Sequence, residues 1–317
     1  MPVNGTARKR SLPPVLADFR KYKKYPELCL MLLPVVVYFV IFKYVPMAGI
    51  VIAFKDYKIG LGIAASEWTG FQNFADVFGT PTFTRSVANT LVISLLKLAV
   101  GFPAPILLAL MLNEVRHNGF KRVVQTISYL PHFLSWVIMA GILSQLLSPN
   151  NGAVNDILSR VTGEKSSIYF LGDNAYFRGT VVVTDVWKGI GWGSILYLAT
   201  IASIDPTLYE AAICDGATRF QRVRYITVPS IMPTITIMLI LNLGSILDAG
   251  FDQILNLYNA AVYKTGDIID TYVYRFGLYQ MNYAIGTAVG LFKNVIGFAL
   301  VVGTNVIAKK IGGDGIW

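Results

Sequence analysis

Apolar residues gather along this chain into long runs, and polar ones collect between them. The runs are Leu28–Val45, Val87–Leu112, Val124–Leu147, Thr180–Ile201, Val228–Leu247 and Ala284–Ala308. Each is long enough to cross a hydrocarbon layer of about 30 Å as a helix. The pattern predicts an all-α integral membrane protein with six transmembrane helices. Pro34, Pro103, Pro105, Pro131, Pro229 and Pro233 fall inside or beside these runs. A proline removes a backbone donor, so kinks are expected that neighbouring helices accommodate. In the connection 46–84, Trp68, Phe71, Phe74, Phe78 and Phe83 suit an amphipathic segment on the outer membrane interface. One six-span domain is expected over 28–308, between a basic tail at 1–27 and a short tail at 309–317.

Composition agrees with this pattern: 54% of residues are hydrophobic and 14% charged, against roughly 25% charged in a soluble domain. A net charge of +9 would suggest nucleic acid in a soluble protein. Here it follows the topology, and no nucleic-acid partner is expected. Fifteen basic residues lie on the side of the two termini and eight on the other. The positive-inside rule therefore places both termini in the cytoplasm. The first run is followed by no convincing small-residue cleavage site and is expected to be retained. Cys29 and Cys214 are far apart and form no CxxC, so no disulfide is expected.

Catalytic signatures are missing. The chain has no GxxxxGK[ST] phosphate cradle, no HExxH, no GxSxG and no Cys/His cluster with metal spacing. His117 and His132 are its two histidines, and a structural role is expected for each. The expectation is a chain with no catalytic residues, no metal site and no cofactor of its own.

One polar stretch stands apart: EAAICDGATRFQRVRYITVP, from Glu210 to Pro229. Asp205 and Pro206 open a short helix as cap and first residue. Asp215-Gly216 ends it, because glycine readily takes a positive φ. Thr218 caps a second helix running to about Tyr225, and Pro229 and Pro233 are expected to steer the chain into the fifth span. Ala211, Ala212 and Ala217 keep the element compact. A solvated loop needs none of this, whereas a knob that docks into a partner does.

The stretch resembles the EAA loop of binding-protein-dependent ABC importers. Glu210-Ala211-Ala212, Asp215-Gly216-Ala217, Ile226 and Val228-Pro229 fall at that loop's spacing, with Val228 in place of its leucine. Other segments resemble the oligosaccharide permeases of the maltose permease superfamily, nearest the branch for polysaccharide fragments such as alginate or pectin oligomers. These are KYVPMAGIVIAFKDY, NTLVISLLKL, MLNEVR, VQTISYLPHFLSW, DVWKGIGWGSILYLATIASIDPTLYEAA and DTYVYRFGL. The likeness runs from about residue 25 to 312. It implies a type I ABC importer permease fold with a MetI-like core and cytoplasmic coupling helices, in a bacterial cytoplasmic membrane. It also implies a heterodimer with a second, homologous permease, two ATP-binding subunits that carry ATP and Mg, and an extracytoplasmic sugar-binding protein. Glu210, Ala211, Ala212, Asp215, Gly216, Ala217, Arg219, Ile226 and Pro229 would couple the chain to the ATP-binding subunit, within a loop at 205–230.

Charged and aromatic residues inside the runs are candidates for the substrate path, since intramembrane charges usually face a bundle interior or a wet cavity. They are Trp187, Lys188, Trp192, Tyr197, Asn242, Asp248, Asp252, Lys293 and Asn294, with Lys97 and Asp185 beside them. Asp248 and Asp252 are read as part of the fifth span. Asp185 and Lys188, three residues apart, are expected to pair. Gly189, Gly191 and Gly193 leave room for a helix or a sugar, and Gly286 and Gly290 form a GxxxG contact signal. The rival reading is an ion-coupled secondary transporter using Asp248, Asp252 or Lys293. It predicts an inverted repeat, and none is evident.

Overall fold

The computed structural model describes residues 26–310. The basic tail, apart from Pro26 and Glu27, and the C-terminal tail from residue 311 lie outside the described residues. The chain divides into two units between Val51 and Ile52. In the first, α1 (Pro26–Phe39) continues through a π turn, Val40–Tyr44. The N–H of Val45 bonds back to the carbonyl of Val40, five residues earlier, just ahead of Pro46, which has no N–H to give. No side chain of α1 is buried.

The second unit opens with a two-residue hairpin in which Lys55 pairs with Trp68 and Asp56 with Glu67. A short helix α2 (Gln72–Phe78) follows. Then α3 (Pro81–Gly101) and α4 (Pro103–Glu114) form one long apolar rod. Next come α5 (Asn118–Tyr129), α6 (Trp136–Leu146), α7 (Phe177–Ala202), α8 (Pro206–Cys214) and α9 (Arg219–Arg222). The chain ends with α10 (Val228–Gly244), α11 (Phe251–Leu257), α12 (Ile269–Tyr272) and α13 (Tyr283–Lys310).

Among the described residues, Pro26–Phe54, Pro81–Glu114, Arg219–Gly244 and Tyr283–Val306 are long and apolar enough to cross a membrane. The expected third span is bent by 108° between Asn118–Phe133 and Trp136–Leu146. Its break is a 3-10 turn, Leu130–Phe133, begun by Pro131, after which Ser135 caps α6 afresh. The expected fourth span is α7, whose 26 residues reach about 39 Å. Asp185, Lys188 and its glycines leave it too polar to count by composition. That polarity suits its place, because α7 is the central helix and packs against α3, α4, α5 and α10.

Glycine makes this packing possible. A Cβ on Gly191 would stand 2.1 Å from the carbonyl oxygen of Ser128 on α5, and one on Gly193 would meet Pro105 at 3.0 Å. Gly189 has open space. Of Gly286 and Gly290, only Gly286 makes a close approach, to Gly277. The aromatic connection is partly core: Phe83 is buried against Phe78, Tyr272 and Phe292, while Trp68 and Phe71 are exposed.

Candidate functional site

The Glu210–Pro229 element is a tightly tied turn. The Asp205 carboxylate accepts the Thr207 N–H at 2.9 Å and caps α8. That bond holds the Asp205 carboxyl below its ordinary range. Gly216 sits at φ +77°, and the Ala217 N–H bonds back to the Ala212 carbonyl at 2.9 Å. Thr218 and Gln221 form a reciprocal capping box, with bonds of 3.3 and 2.7 Å. The Tyr209 hydroxyl reaches the Thr227 hydroxyl at 2.9 Å, fastening α8 to the helix that follows. Large side chains point away from this framework: Phe220 is 77% exposed and Tyr225 72%.

The prolines do not steer a separate span. Arg219–Gly244 is a single helix that passes through a π turn at Val223–Thr227. There the N–H of Val228 bonds to the Val223 carbonyl, five residues back, immediately before Pro229. The wider turn absorbs the missing donor, so the rod continues.

At its other end the rod stops at Gly244, where α13 comes close: a Cβ there would lie 2.6 Å from Val301. Ala249 at φ 48° and Gly250 at φ 87° then turn the chain into α11. This break corrects the sequence reading. Asp248 lies in the turn and Asp252 on α11, neither in the fifth span. Asn242 stays on α10.

A cavity of about 420 Å³ opens between α3, α4, α7 and the break after α10. Of the expected path residues, Tyr197, Asn242 and Asp248 line it, joined by Lys97 and Asp185. Trp187, Lys188, Trp192, Asp252, Lys293 and Asn294 are not among its lining residues. Trp192 stacks in parallel on His132, with centroids 4.5 Å apart, and Trp187 is 42% exposed. Asp252 and Asn294 are exposed.

Asp185 and Lys188 do not pair. Lys188 donates to the carbonyls of Pro131, His132 and Leu134 at 3.2, 2.8 and 2.5 Å, holding the bend after α5. Asp185 instead takes Lys97 at 3.0 Å. Lys293 lies between Asp248 at 2.6 Å and Asp270 at 2.8 Å. It braces the break through Asp248, which lines the cavity, and does not line the cavity itself.

Two polar features escape the sequence reading. Gln253, fully buried, donates to the Val181 carbonyl and the Thr184 hydroxyl and accepts from Lys97. Its signal was its place four residues before Leu257, on the apolar face of FDQILNL, whose other polar residues, Asp252 and Asn256, are exposed. Asp267 collects Ser86, Thr271 and Arg275, and Arg178 reaches Asn89 next to it. Burial pushes the Asp267 carboxyl up, against the pull of Thr271, Arg275 and Ser86.

Comparisons with known proteins agree with this architecture. The family described as "Binding-protein-dependent transport system inner membrane component" matches residues 101–312. Protein LplB of Bacillus subtilis is 48% identical over 295 residues, covering 93% of this chain and 92% of that one. The polygalacturonan/rhamnogalacturonan transport system permease protein YteP of Bacillus subtilis is 47% identical over 290 residues, covering 92% and 90%. A chain of a bacterial alginate ABC transporter, crystallised with an alginate pentasaccharide-bound periplasmic protein, superposes with a TM-score of 0.86 at 44% identity. That likeness covers 94% of this chain and 99% of the other. A multi-pass helical protein with a MetI-like permease fold, this chain belongs to the inner membrane permease components of binding-protein-dependent ABC transport systems.

Proposed function

We propose that this chain is one permease subunit of an ATP-driven importer that carries acidic oligosaccharides across the cytoplasmic membrane by alternating access. The observation that carries the reading is the rod Arg219–Gly244: one end bears the exposed Glu210–Tyr225 turn, and the other ends at the cavity. Two ATP-binding subunits would close on ATP and draw this turn and its counterpart on a second permease together. The moving rods would close the inner gate and open the cavity toward a docked, sugar-loaded binding protein. Phosphoryl transfer, with its ATP and Mg, belongs to the partner subunits. Both termini and the turn would then lie in the cytoplasm. The acidic substrate is supported by relatives that handle polygalacturonan and alginate. The ion-coupled alternative through Asp248, Asp252 or Lys293 is less favoured, since Lys293 is taken up by Asp248 and Asp270 and Asp252 does not line the cavity.

The test reconstitutes the chain with its partner permease, ATP-binding subunit and binding protein in proteoliposomes. ATP hydrolysis is measured with the binding protein loaded by neutral or uronic oligosaccharides, for the wild type and Gly216→Pro. Proline holds φ near −65°, far from the +77° observed, so the turn must deform. Stimulation by uronic sugars that disappears in an assembled Gly216→Pro complex supports the reading. Equal stimulation in that variant removes the coupling role, and stimulation by neutral sugars alone removes the acidic substrate.

A further inference from the structure

Lys97 lies on α3 with its side chain 12% exposed and its ammonium group at the cavity. Gln253 holds it from one side, with Oε1 2.5 Å from Nζ. Gln253 is not free to turn, because its amide nitrogen donates to the Val181 carbonyl at 2.8 Å and the Thr184 hydroxyl at 2.9 Å. Gly250 leaves the necessary room, since a Cβ there would stand 2.5 Å from Lys97 Nζ. Gln253 therefore still holds the ammonium group if Asp185 leaves it.

Asp185 is the looser partner, its side chain 37% exposed. Ser94 precedes Lys97 by three residues, so it shares that helix face. It lines the same cavity, and its buried hydroxyl has no hydrogen-bond partner among the described residues. Buried polar groups are almost always matched. A held ammonium and a partly exposed carboxylate at open space, with an unmatched hydroxyl buried just behind the wall, make a site built to receive an acceptor. Asp248, also on the cavity wall, is already held by Lys293.

We propose that Lys97 is a carboxylate subsite for acidic sugar units crossing the cavity, with Asp185 as its exchangeable counter-ion. A uronate entering the cavity takes the place of Asp185 on Lys97, and Asp185 turns into the cavity water. One carboxylate replaces another, so the exchange is near balance and the sugar is released as readily as it is bound. A transport path needs that property. The inference rests on the acidic-oligosaccharide reading above.

The experiment measures uptake of trigalacturonate and of an alginate trisaccharide into proteoliposomes holding the complete transporter. Saturating loaded binding protein is used with Lys97→Gln, Asp185→Asn and the double variant, and each complex is also melted. Lys97→Gln is expected to lower uptake about tenfold. Asp185→Asn is expected to melt earlier yet import at least as well at low sugar. The double variant is expected to regain stability without regaining uptake. Recovery of both stability and uptake in the double variant would show a purely structural ion pair and overturn the subsite. Absence of uptake by the wild type for both sugars overturns the acidic-substrate reading, and the subsite with it.

Discussion

Gly191 sits where α7 crosses α5, and its substitution by alanine tests the central packing. The added Cβ would stand 2.1 Å from the Ser128 oxygen, 2.4 Å from its carbon and 2.9 Å from Tyr129. Two of these atoms are backbone and do not step aside. Restoring ordinary contact at 3.4 Å requires the helices to part by about 1.3 Å locally. Lys188, three residues away on α7, bonds to carbonyls just beyond α5. A shift of that size stretches those bonds toward or past the limit of roughly 3.5 Å. Overpacking costs about 1–3 kcal/mol. Loss of one charged hydrogen bond adds about 1.5–3 kcal/mol. Alanine's better helix propensity returns up to about 1 kcal/mol. A net loss of roughly 1.5–6 kcal/mol follows from these terms. The assay is thermal melting of the purified complex, with Gly179→Ala as the control. Gly179 lies on the same helix with nothing within 4 Å of its would-be Cβ. Gly191→Ala should melt several degrees below that control. Coincident melting curves would refute the close α5–α7 crossing.

Other substitutions probe other joints. Gly216→Ala places a side chain at φ +77°, which should cost about 1–2 kcal/mol and weaken ATPase stimulation, whereas Gly216→Asn should be milder. Thr218→Ala removes half of the capping box and should cost about 1 kcal/mol, read as faster amide exchange at Gln221. Lys293→Met leaves the mostly buried Asp270 without its cation, while the exposed Asp248 is screened by water, and should destabilise by about 1–3 kcal/mol. Adding Asp270→Asn should recover part of the melting temperature, and no recovery would argue against the pairing. Gln253→Leu removes one of two partners of Lys97 and one donor each from the Val181 carbonyl and the Thr184 hydroxyl; with Asp185 and the Thr184 hydroxyl still in place, the loss should be about 1–3 kcal/mol, read as a lower melting temperature.

Local chemistry was legible in the sequence wherever a few neighbouring residues decide the outcome. Asp205 caps, Gly216 turns and Thr218 restarts the helix because each acts on backbone within three residues of itself. Apolar runs announced the spans because lipid demands them. The charge pairing was not legible. Asp185 is three residues from Lys188, but its partner is Lys97, which α3 brings from 88 residues away. The end of α10 was equally hidden. Ile246 and Leu247 continue the hydropathy of the span, while Ala249 and Gly250 break it through backbone angles that no apolar average records. Pro131 did mark the broken third span, yet a proline alone does not tell a shallow kink from a 108° turn.

The π turn at Val223–Thr227 has a mechanical consequence. It lets the 26 residues from Arg219 to Gly244 behave as one stiff lever about 39 Å long. No loop lies along it to absorb displacement. Pivoting such a lever by about 5° at one end swings the other by about 3 Å, comparable to the length of the ion pairs around the break. Ser245, Asp248 and Gly250, which follow its tip, line the cavity. Motion at the Glu210 end therefore reaches the cavity wall with little slack, so the two ends are geared together rather than signalling through a flexible chain.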